Sequence, residues 1–329
     1  MTLSIYDPVY GDVTFTEPLL VDLYHSRAVQ RLAHIYQGGI TAFIKPERRT
    51  TRLEHSLGVA ALLRRLGAGV LEQASGLLHD VPHTAFSHVI DFVFPNDEHT
   101  YHEQQRESVL SGSDLPGILT RYGLDWRYVT EAENFSLLEQ PLPHLCADRL
   151  DYFLRDGVVD WKLVSPAEAQ DLLDHLKVFE GAIVVDDVDI ARWLAETFIK
   201  LDDLCWCGLQ EVGWYAVAAR ALRAALTGGV ITEQDFAGAD EALFARLHAA
   251  EDSEVQHWLA LLRPDVNFAR VTDPASADLT VLPKVRAIDP AVLVGGHAVQ
   301  LSRLDPAFAR RRTAYVAGKQ GEWALRILA

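Results

Sequence analysis

Apolar residues recur at intervals of three or four along most of this chain, and that spacing is typical of amphipathic helices. The clearest helix begins at a capping box formed by Thr51 and Glu54, which places its start just before Leu53. The face of this helix that carries His55 is otherwise apolar, so we expect the imidazole to point inward.

A second helix is predicted from about Val70 to His79. It ends there because Pro82 lacks a backbone N–H and disfavours a helical conformation at Val81. His79 and the next residue, Asp80, are therefore expected at a helix C-terminus, ahead of an irregular loop.

A third helix is expected from about Pro143, which suits the first helical position, to Gly157, which suits the position after the last. Its polar residues recur every four positions and form one stripe on an element whose other faces are apolar. They are His144, Asp148, Tyr152 and Asp156. Such a stripe can simply face solvent. The alternative hypothesis is that it aligns with the nearby histidines.

The rest of the chain completes a mostly α pattern. Turn signals and a short alternating piece in residues 7–24 predict a small N-terminal hairpin. Residues 188–226 predict one or two long amphipathic helices. Two short runs, 279–282 and 284–288, predict a small C-terminal β element.

Composition argues against several classes of protein. The net charge of -16 and the isoelectric point near 5.2 argue against a nucleic-acid binder, because phosphate backbones need a basic surface. A local basic pocket for a small phosphorylated ligand stays compatible with this charge. The first residues lack the features of a secretory signal, and no apolar run reaches membrane-spanning length. Three cysteines cannot build a disulfide framework, so we expect a cytoplasmic protein without a membrane partner.

Histidines are concentrated in one part of the chain, since six of the thirteen fall between His55 and His102. Charged residues are rarely buried unless they are paired or bind a metal. Two imidazoles and two carboxylates, three of them inside apolar segments, therefore suggest ligands for a divalent cation. They are His55, His79, Asp80 and Asp148.

Three stretches around these residues resemble the HD-domain metal-dependent phosphohydrolases: TRLEHSLGVA (51–60), LLHDVPHTAFSH (77–88) and DRLDYFLRD (148–156). Within that superfamily they are most similar to the deoxynucleoside triphosphohydrolase branch, which includes the SAM-and-HD-domain enzymes. The resemblance covers about residues 5 to 160. It implies an HD phosphohydrolase domain in residues 1–165, with its N-terminal hairpin, and a helical C-terminal region with a small α+β tail in residues 166–329.

The resemblance also implies a role for each candidate residue. One divalent ion, of Mn, Fe, Co, Ni, Zn or Mg, would be held by His55, His79, Asp80 and Asp148. The catalytic residues around it would be His83, His88, Asp91, His102 and Glu103. In this family the histidine at the position of His102 is the candidate proton donor to the leaving oxygen, oriented by Glu103. The substrate would be bound by Gln37, Arg52, Arg149, Tyr152 and Asp156.

The implied function is a metal-dependent phosphohydrolase acting on nucleotides, with deoxynucleoside triphosphates as the expected substrates. Residues 196–215 match the helix that grips the triphosphate in that branch, but Lys200 is the only cation among them, so the number of phosphates stays open. One alternative is a phosphomonoesterase or phosphodiesterase of the same fold, including a two-metal centre completed by His102 and His144. Another is a non-catalytic nucleotide sensor. Relatives usually assemble into oligomers, so a homo-oligomer is also expected.

Overall fold

The computed structural model describes residues 2–94 and 101–328, although not the side chains of residues 101–104. The fold is mostly α, as the sequence pattern predicts. The helices are α1 (Pro18–Tyr24), α2 (Arg27–Arg31), α3 (Thr41–Ile44), α4 (Arg52–Arg65), α5 (Val70–Leu78), α6 (Val89–Val93), α7 (Tyr101–Ser111), α8 (Leu115–Arg121), α9 (Trp126–Thr130), α10 (Ala147–Arg155), α11 (Pro166–His175), α12 (Val188–Leu201), α13 (Leu209–Thr227), α14 (Asp240–His248), α15 (Ser253–Leu259), α16 (Leu301–Leu304) and α17 (Pro306–Lys319). Two π-helical segments follow α10 and α12: Asp156–Asp160 and Asp202–Trp206. No helix in the described part of the chain combines the length and the apolar character needed to cross a membrane.

Short strands lie at the edges of this helical body. They are β1 (Leu3–Asp7), β2 (Gly11–Phe15), β3 (Leu176–Phe179), β4 (Ala182–Val185), β5 (Asn267–Arg270), β6 (Leu279–Val281), β7 (Ala291–Val294), β8 (His297–Gln300) and β9 (Trp323–Leu328). The sheets have the strand orders β1-β2, β3-β4-β7-β8 and β5-β9-β6. The predicted N-terminal hairpin is present, but it lies earlier than residues 7–24 suggest, because a proline at residue 18 starts α1 there.

Helix α4 lies at the centre of the fold and carries the first candidate ligand. Its capping box forms as predicted: the Thr51 side chain accepts from the Glu54 N–H, and the Glu54 carboxylate accepts from the Thr51 N–H at 2.7 Å. Every side chain from His55 to Leu63 is buried. A helix that is buried all round is packed by neighbours on every side, so His55 points into the protein, as expected.

The apolar core crosses the predicted domain boundary near residue 165. One buried cluster joins Leu62 of α4 and Phe153 of α10 with Phe198 of α12. A second joins Phe86, in the loop before α6, with Trp214 of α13. The two halves of the chain therefore share their cores, and the division into residues 1–165 and 166–329 stays a prediction.

Helix α10 begins at Ala147, so the prediction that it starts near Pro143 was wrong. Cys146, just ahead of it, has an extended backbone with φ −149° and ψ 165°. The Ala147 N–H bonds to the carbonyl oxygen of Leu137 at 2.7 Å, which holds this segment against an earlier turn. His144 consequently lies exposed in that turn, off the polar stripe of the helix.

The helical path also continues past Gly157, where we expected it to end. The carbonyl oxygen of Gly157 accepts the N–H groups of Leu163 and Val164 at 2.9 and 3.0 Å. A Cβ at this glycine would lie only 2.8 Å from Cγ2 of Val164. Gly157 therefore permits close packing of the next segment instead of ending the helix.

Residues 284–288 do not form the predicted strand, whereas the prediction for the preceding run is confirmed by β6. The Arg286 N–H bonds to Asp202 Oδ2 at 3.1 Å, and Arg312 donates to the carbonyl oxygen of Ile288 at 3.0 Å. These side chains satisfy backbone groups that a sheet would otherwise use. An alternating sequence was therefore not sufficient to make a strand here.

Asp240, the first residue of α14, joins the C-terminal half to segments beside the candidate site. It is fully buried, and its two oxygens accept separate backbone N–H groups: Oδ2 from Tyr36 at 2.8 Å and Oδ1 from Phe86 at 2.7 Å. Phe86 and Ser87 have left-handed φ values of 60° and 51°. Residues other than glycine rarely adopt that conformation, so the hydrogen bond to Asp240 helps to hold this loop.

We predict that Asp240→Asn lowers the free energy of unfolding by about 1–3 kcal/mol, because an amide accepts only one of the two N–H groups and turns its NH₂ toward the other. Asp252→Asn is the matched control. Both N–H groups at Asp252 bond to the same oxygen, Oδ1, at 2.9 and 3.0 Å, so asparagine keeps both. The free energy of unfolding of Asp252→Asn should fall by no more than roughly a few tenths of a kcal/mol. Urea unfolding measures both variants, and equal losses would contradict the role given to Asp240.

Candidate metal centre

The ends of three helices bring the four candidate ligands together. His55 lies in the first turn of α4, His79 and Asp80 directly follow α5, and Asp148 lies in the first turn of α10. His55 Nε2 is 2.9 Å from Asp148 Oδ1 and 3.3 Å from His79 Nε2. His79 Nε2 is in turn 3.4 Å from Asp80 Oδ1 and 3.5 Å from Asp148 Oδ1. Donor atoms from distant parts of the chain therefore face one point.

These distances and the proton positions suit a divalent cation. Two ligand atoms that are each about 2.1 Å from one ion lie roughly 3.0–3.4 Å apart. His79 Nδ1 is 2.7 Å from the carbonyl oxygen of Gly76, which can only accept, and His55 Nδ1 is 2.7 Å from Asp151 Oδ2. Both Nδ1 atoms therefore carry a proton, and in the neutral form of each ring the Nε2 lone pair would face the other ring. A cation between them removes that repulsion, so the donor set fits a metal ion.

The electrostatics of the centre agree with this fit. Burial opposes a charge on His55, but its hydrogen bonds to Asp148 and Asp151 outweigh burial and raise its pKa to about 10. Without a cation the carboxylates therefore hold a proton on His55 Nε2, and a bound metal ion would take the place of that proton. Burial also opposes ionisation of Asp80, yet the charge of Arg52 lowers the pKa of that carboxyl to about 2. The carboxylates thus stay ionised near neutral pH and attract positive charge into the centre.

Arg52 is held inside the centre by its neighbours. Its Nη1 atom is 2.6 Å from Asp80 Oδ2, and its Nε donates to Ser87 Oγ at 2.8 Å. Ser87 in turn donates to the carbonyl oxygen of Tyr36 at 2.6 Å. The guanidinium therefore fixes one oxygen of Asp80, and a phosphate contact made by Arg52 stays a prediction.

The histidine loop after α5 lies beside the candidate ligands. His83 Nε2 is 3.3 Å from Asp80 Oδ1, and the rings of His83 and His88 meet edge to face with centroids 5.2 Å apart. His88 Nδ1 is 3.2 Å from Asp91 Oδ2. Burial lowers the pKa of His88 to about 4, so its ring is neutral at neutral pH. The structure brings these three predicted catalytic residues together, and their roles stay predictions.

The side chains of His102 and Glu103 lie outside the described residues, and only their backbone places them in α7. Their roles as proton donor and orienting partner stay predictions. His144, the other histidine of the two-metal alternative, is exposed in the turn before α10. The described residues therefore give that alternative no support.

Tyr152 of α10 and Asp156, the first residue of the following π-helical segment, both contact Trp206. Asp156 Oδ2 accepts from Trp206 Nε1 at 2.7 Å, and the rings of Tyr152 and Trp206 meet edge to face with centroids 4.8 Å apart. Burial, helped by the charge of Asp160, raises the pKa of Asp156 to about 7. Trp206 was not predicted as a site residue, because a tryptophan in an apolar stretch is not distinguishable from a core residue.

Gln37 and Arg149, two of the predicted substrate-binding residues, differ in the hydrogen bonds that their side chains make. Arg149 Nη1 donates to the carbonyl oxygen of His144 at 2.6 Å, and Nη2 is 3.4 Å from Glu139 Oε1. Arg149 is thus tied to the segment before α10. In contrast, no donor among the described residues reaches the buried Oε1 atom of Gln37. Gln37 therefore offers an oxygen that a ligand can use.

Glu139 and Cys146 lie beside Asp148, and the sequence gives no spacing that relates them. Each of the three offers a ligand atom within 4.8 Å of the others. However, Arg149 Nη1 is 3.1 Å from Cys146 Sγ. The guanidinium already supplies the positive charge that a cation would bring, so we assign no metal to this cluster.

Asp151 is the most important residue of the centre that was not predicted from the sequence. It is completely buried, and it accepts from His55 Nδ1 at 2.7 Å and from Arg155 Nε at 3.0 Å. A signal was present in the stretch DRLDYFLRD, because Asp151 follows Asp148 by three residues and precedes Arg155 by four. Residues at these separations are neighbours on a helix surface.

Comparison with known proteins identifies the family. A model of the HD domain matches residues 52–156. The chain is 36% identical to the uncharacterized protein YdhJ of Bacillus subtilis, over 97% of this chain and 98% of that protein. It is 34% identical to the metal-dependent phosphohydrolase cns2 of Cordyceps militaris, over 97% of this chain and 93% of cns2.

Two other similarities are partial or concern the fold alone. The deoxynucleoside triphosphate triphosphohydrolase SAMHD1 of Bos taurus is 33% identical over 36% of this chain and 24% of its own length. The crystal structure of a phosphohydrolase from Bacteroides thetaiotaomicron has a similar fold, with a TM-score of 0.67 at 16% identity, over 98% of this chain and 99% of that one. With its HD-domain match and its nearly full-length similarity to cns2, the chain belongs to the HD-domain metal-dependent phosphohydrolases.

Proposed function

We propose that this protein uses one divalent cation to hydrolyse nucleotides. The observation that carries the proposal is the convergence of the His55 and His79 Nε2 atoms with the carboxylates of Asp80 and Asp148, while both Nδ1 protons are engaged elsewhere. A protein donor set of this size leaves coordination positions for water and substrate. When bound, the ion would lower the pKa of a water molecule and withdraw charge from a phosphoryl oxygen.

The side chains around the ion would orient the reactants and move protons. Arg52 holds Asp80 through its 2.6 Å contact and keeps that carboxylate ionised. His88 is neutral because it is buried, and Asp91 fixes its ring, so we assign this pair to stabilising the reactants or relaying protons beside the ion. His102 is the proposed proton donor to the leaving oxygen.

Deoxynucleoside triphosphates are the proposed substrates. The similarity to SAMHD1 supports this choice. The side-chain oxygens of Gln37 and Asp156 support it as well, because both can accept hydrogen bonds from a sugar hydroxyl or a base. Tyr152 would add an aromatic surface next to Asp156.

A nucleoside monophosphate is the second candidate substrate. Arg52 is paired with Asp80, and Arg149 with Glu139. Lys200 is exposed on α12. A triphosphate needs more cationic partners than a single phosphate does. These pairings, in the part of the chain that the structure describes, favour a substrate with fewer phosphates.

Replacing both His79 and Asp80 with alanine should abolish hydrolysis and weaken Co²⁺ binding by more than roughly 100-fold, since even the loss of an outer partner of a ligand costs 10–100-fold. The circular dichroism signal of the helices should persist, because both residues follow the last residue of α5 and alanine keeps their backbone N–H groups. Titration with Co²⁺ and a nucleotide hydrolysis assay measure the two effects.

The matched control for this variant is His175→Ala with Asp186→Ala. These residues form a histidine–aspartate pair at the surface, with Nδ1 and Oδ1 2.7 Å apart. Their loss removes the same side-chain types away from the centre and should leave binding and hydrolysis unchanged. Full activity in the His79 and Asp80 variant would refute the ligand assignment.

The products of hydrolysis should separate the two candidate substrates. Water attack that releases the whole triphosphate yields a deoxynucleoside and inorganic triphosphate, whereas a monophosphate yields a nucleoside and inorganic phosphate. We expect inorganic triphosphate from a nucleotide panel incubated with Mn²⁺, Co²⁺, Ni²⁺ or Mg²⁺, detected by phosphorus NMR. Inorganic phosphate from monophosphates alone would select the second candidate. No product from any nucleotide would contradict the enzymatic function.

A further inference from the structure

The N-terminal hairpin turn reaches the metal centre through buried hydrogen bonds. Asp7, the last residue of β1, accepts the N–H groups of Val9 and Tyr10 on Oδ1 at 2.8 and 3.1 Å. Its other oxygen accepts from Arg155 Nη2 at 2.9 Å. Tyr10 donates its hydroxyl to Asp151 Oδ1 at 2.8 Å. A turn near the start of the chain thus contacts two residues of α10.

Asp151 connects this turn to a candidate ligand. Its Oδ1 accepts from Tyr10 and from Arg155 Nη2 at 3.0 Å, and its Oδ2 accepts from Arg155 Nε at 3.0 Å and from His55 Nδ1 at 2.7 Å. A buried carboxylate with four hydrogen bonds cannot rotate without losing several of them. It therefore fixes the plane of the His55 ring and keeps a proton on Nδ1, which leaves the Nε2 lone pair for a metal.

Gly58 of α4 provides the space that this arrangement needs. A Cβ there would lie 2.0 Å from both Arg155 Nη2 and Asp151 Oδ1. The backbone of α4 therefore packs directly against the ion pair, three residues after His55. At Gly58, no side chain separates α4, which carries His55, from the ion pair of Asp151 and Arg155.

We propose that Asp7 and Tyr10 are positioning residues for the metal ligand His55 and act through Asp151 and Arg155. The inference rests on the proposed function in one respect, that His55 is a ligand. Arg155 bridges the carboxylates of Asp7 and Asp151, so the loss of Asp7 leaves that ion pair free to shift. The imidazole can then turn, and the ion is bound more weakly.

Binding of Co²⁺ to the whole chain tests this proposal without any substrate. Tyr10→Phe removes a single hydroxyl and should raise the dissociation constant on the order of 2–10-fold. Asp7→Asn turns an NH₂ group toward Arg155 Nη2 and should raise it roughly 10–100-fold. Tyr315→Phe is the matched control, because its hydroxyl also donates to a buried carboxylate, Asp202 Oδ2, at 2.8 Å. Its dissociation constant should equal that of the wild type.

The visible absorption of bound Co²⁺ distinguishes positioning from a merely structural role, because the bands depend on ligand geometry. They should shift in Asp7→Asn and in Tyr10→Phe, with the free energy of unfolding of each metal-free variant measured alongside. Wild-type affinity and wild-type bands in both variants would overturn the positioning role, even if both unfold more easily. Absence of Co²⁺ binding by the wild-type chain would overturn the metal centre itself. If Asp7→Asn does not fold, the Co²⁺ affinity and the absorption bands of Tyr10→Phe alone decide whether the positioning role holds.

Discussion

The hydrogen bonds at two Nδ1 atoms constrain the centre of this protein. His79 donates to a helix carbonyl and His55 to Asp151, so neither ring is free to present its other nitrogen. Their Nε2 atoms consequently meet at 3.3 Å, beside two carboxylates. Because His55 and Asp80 are buried, bulk water relieves little of this concentration of charge and lone pairs. The packing that makes the helices stable is thus also what makes the centre require positive charge.

The second half of the chain supports segments that belong to the first. Asp240 holds the backbone of Phe86, in the loop that carries His83 and His88, although α14 lies far beyond the matched HD segment. Trp206, in a π-helical segment, holds the side chain of Asp156 by donating a hydrogen bond to it. π-Helical turns are often found at functional sites. A fragment restricted to the HD segment would leave both contacts unmade.

Features that depend on residues close together in the sequence could be predicted, whereas features that depend on contacts between distant segments could not. The capping box of Thr51 depends on residues three apart, so its prediction is confirmed. The prediction that α10 starts near Pro143 was wrong, because a backbone hydrogen bond from Ala147 to Leu137 determines where the helix begins. The run 284–288 alternates like a strand, but side chains from other elements satisfy its backbone. The four candidate ligands were suggested by histidines and carboxylates in apolar segments, and the family resemblance implied the same set. Asp151 has a local partner in Arg155, but its contact with Tyr10, 141 positions away, could not be read from the sequence.

The long separation along the chain between the hairpin turn and α10 has a consequence for biosynthesis. Asp7 and Arg155, which contact each other, are 148 positions apart. Chains emerge and fold from the N-terminus onward, so the turn leaves the ribosome well before its partners exist. Until α10 docks, His55 lacks its hydrogen bond to Asp151, and Asp148 is missing from the set of candidate ligands. Because a metal site rarely exists before the chain folds, we expect a nascent chain to hold an ion only weakly and to acquire it late in maturation.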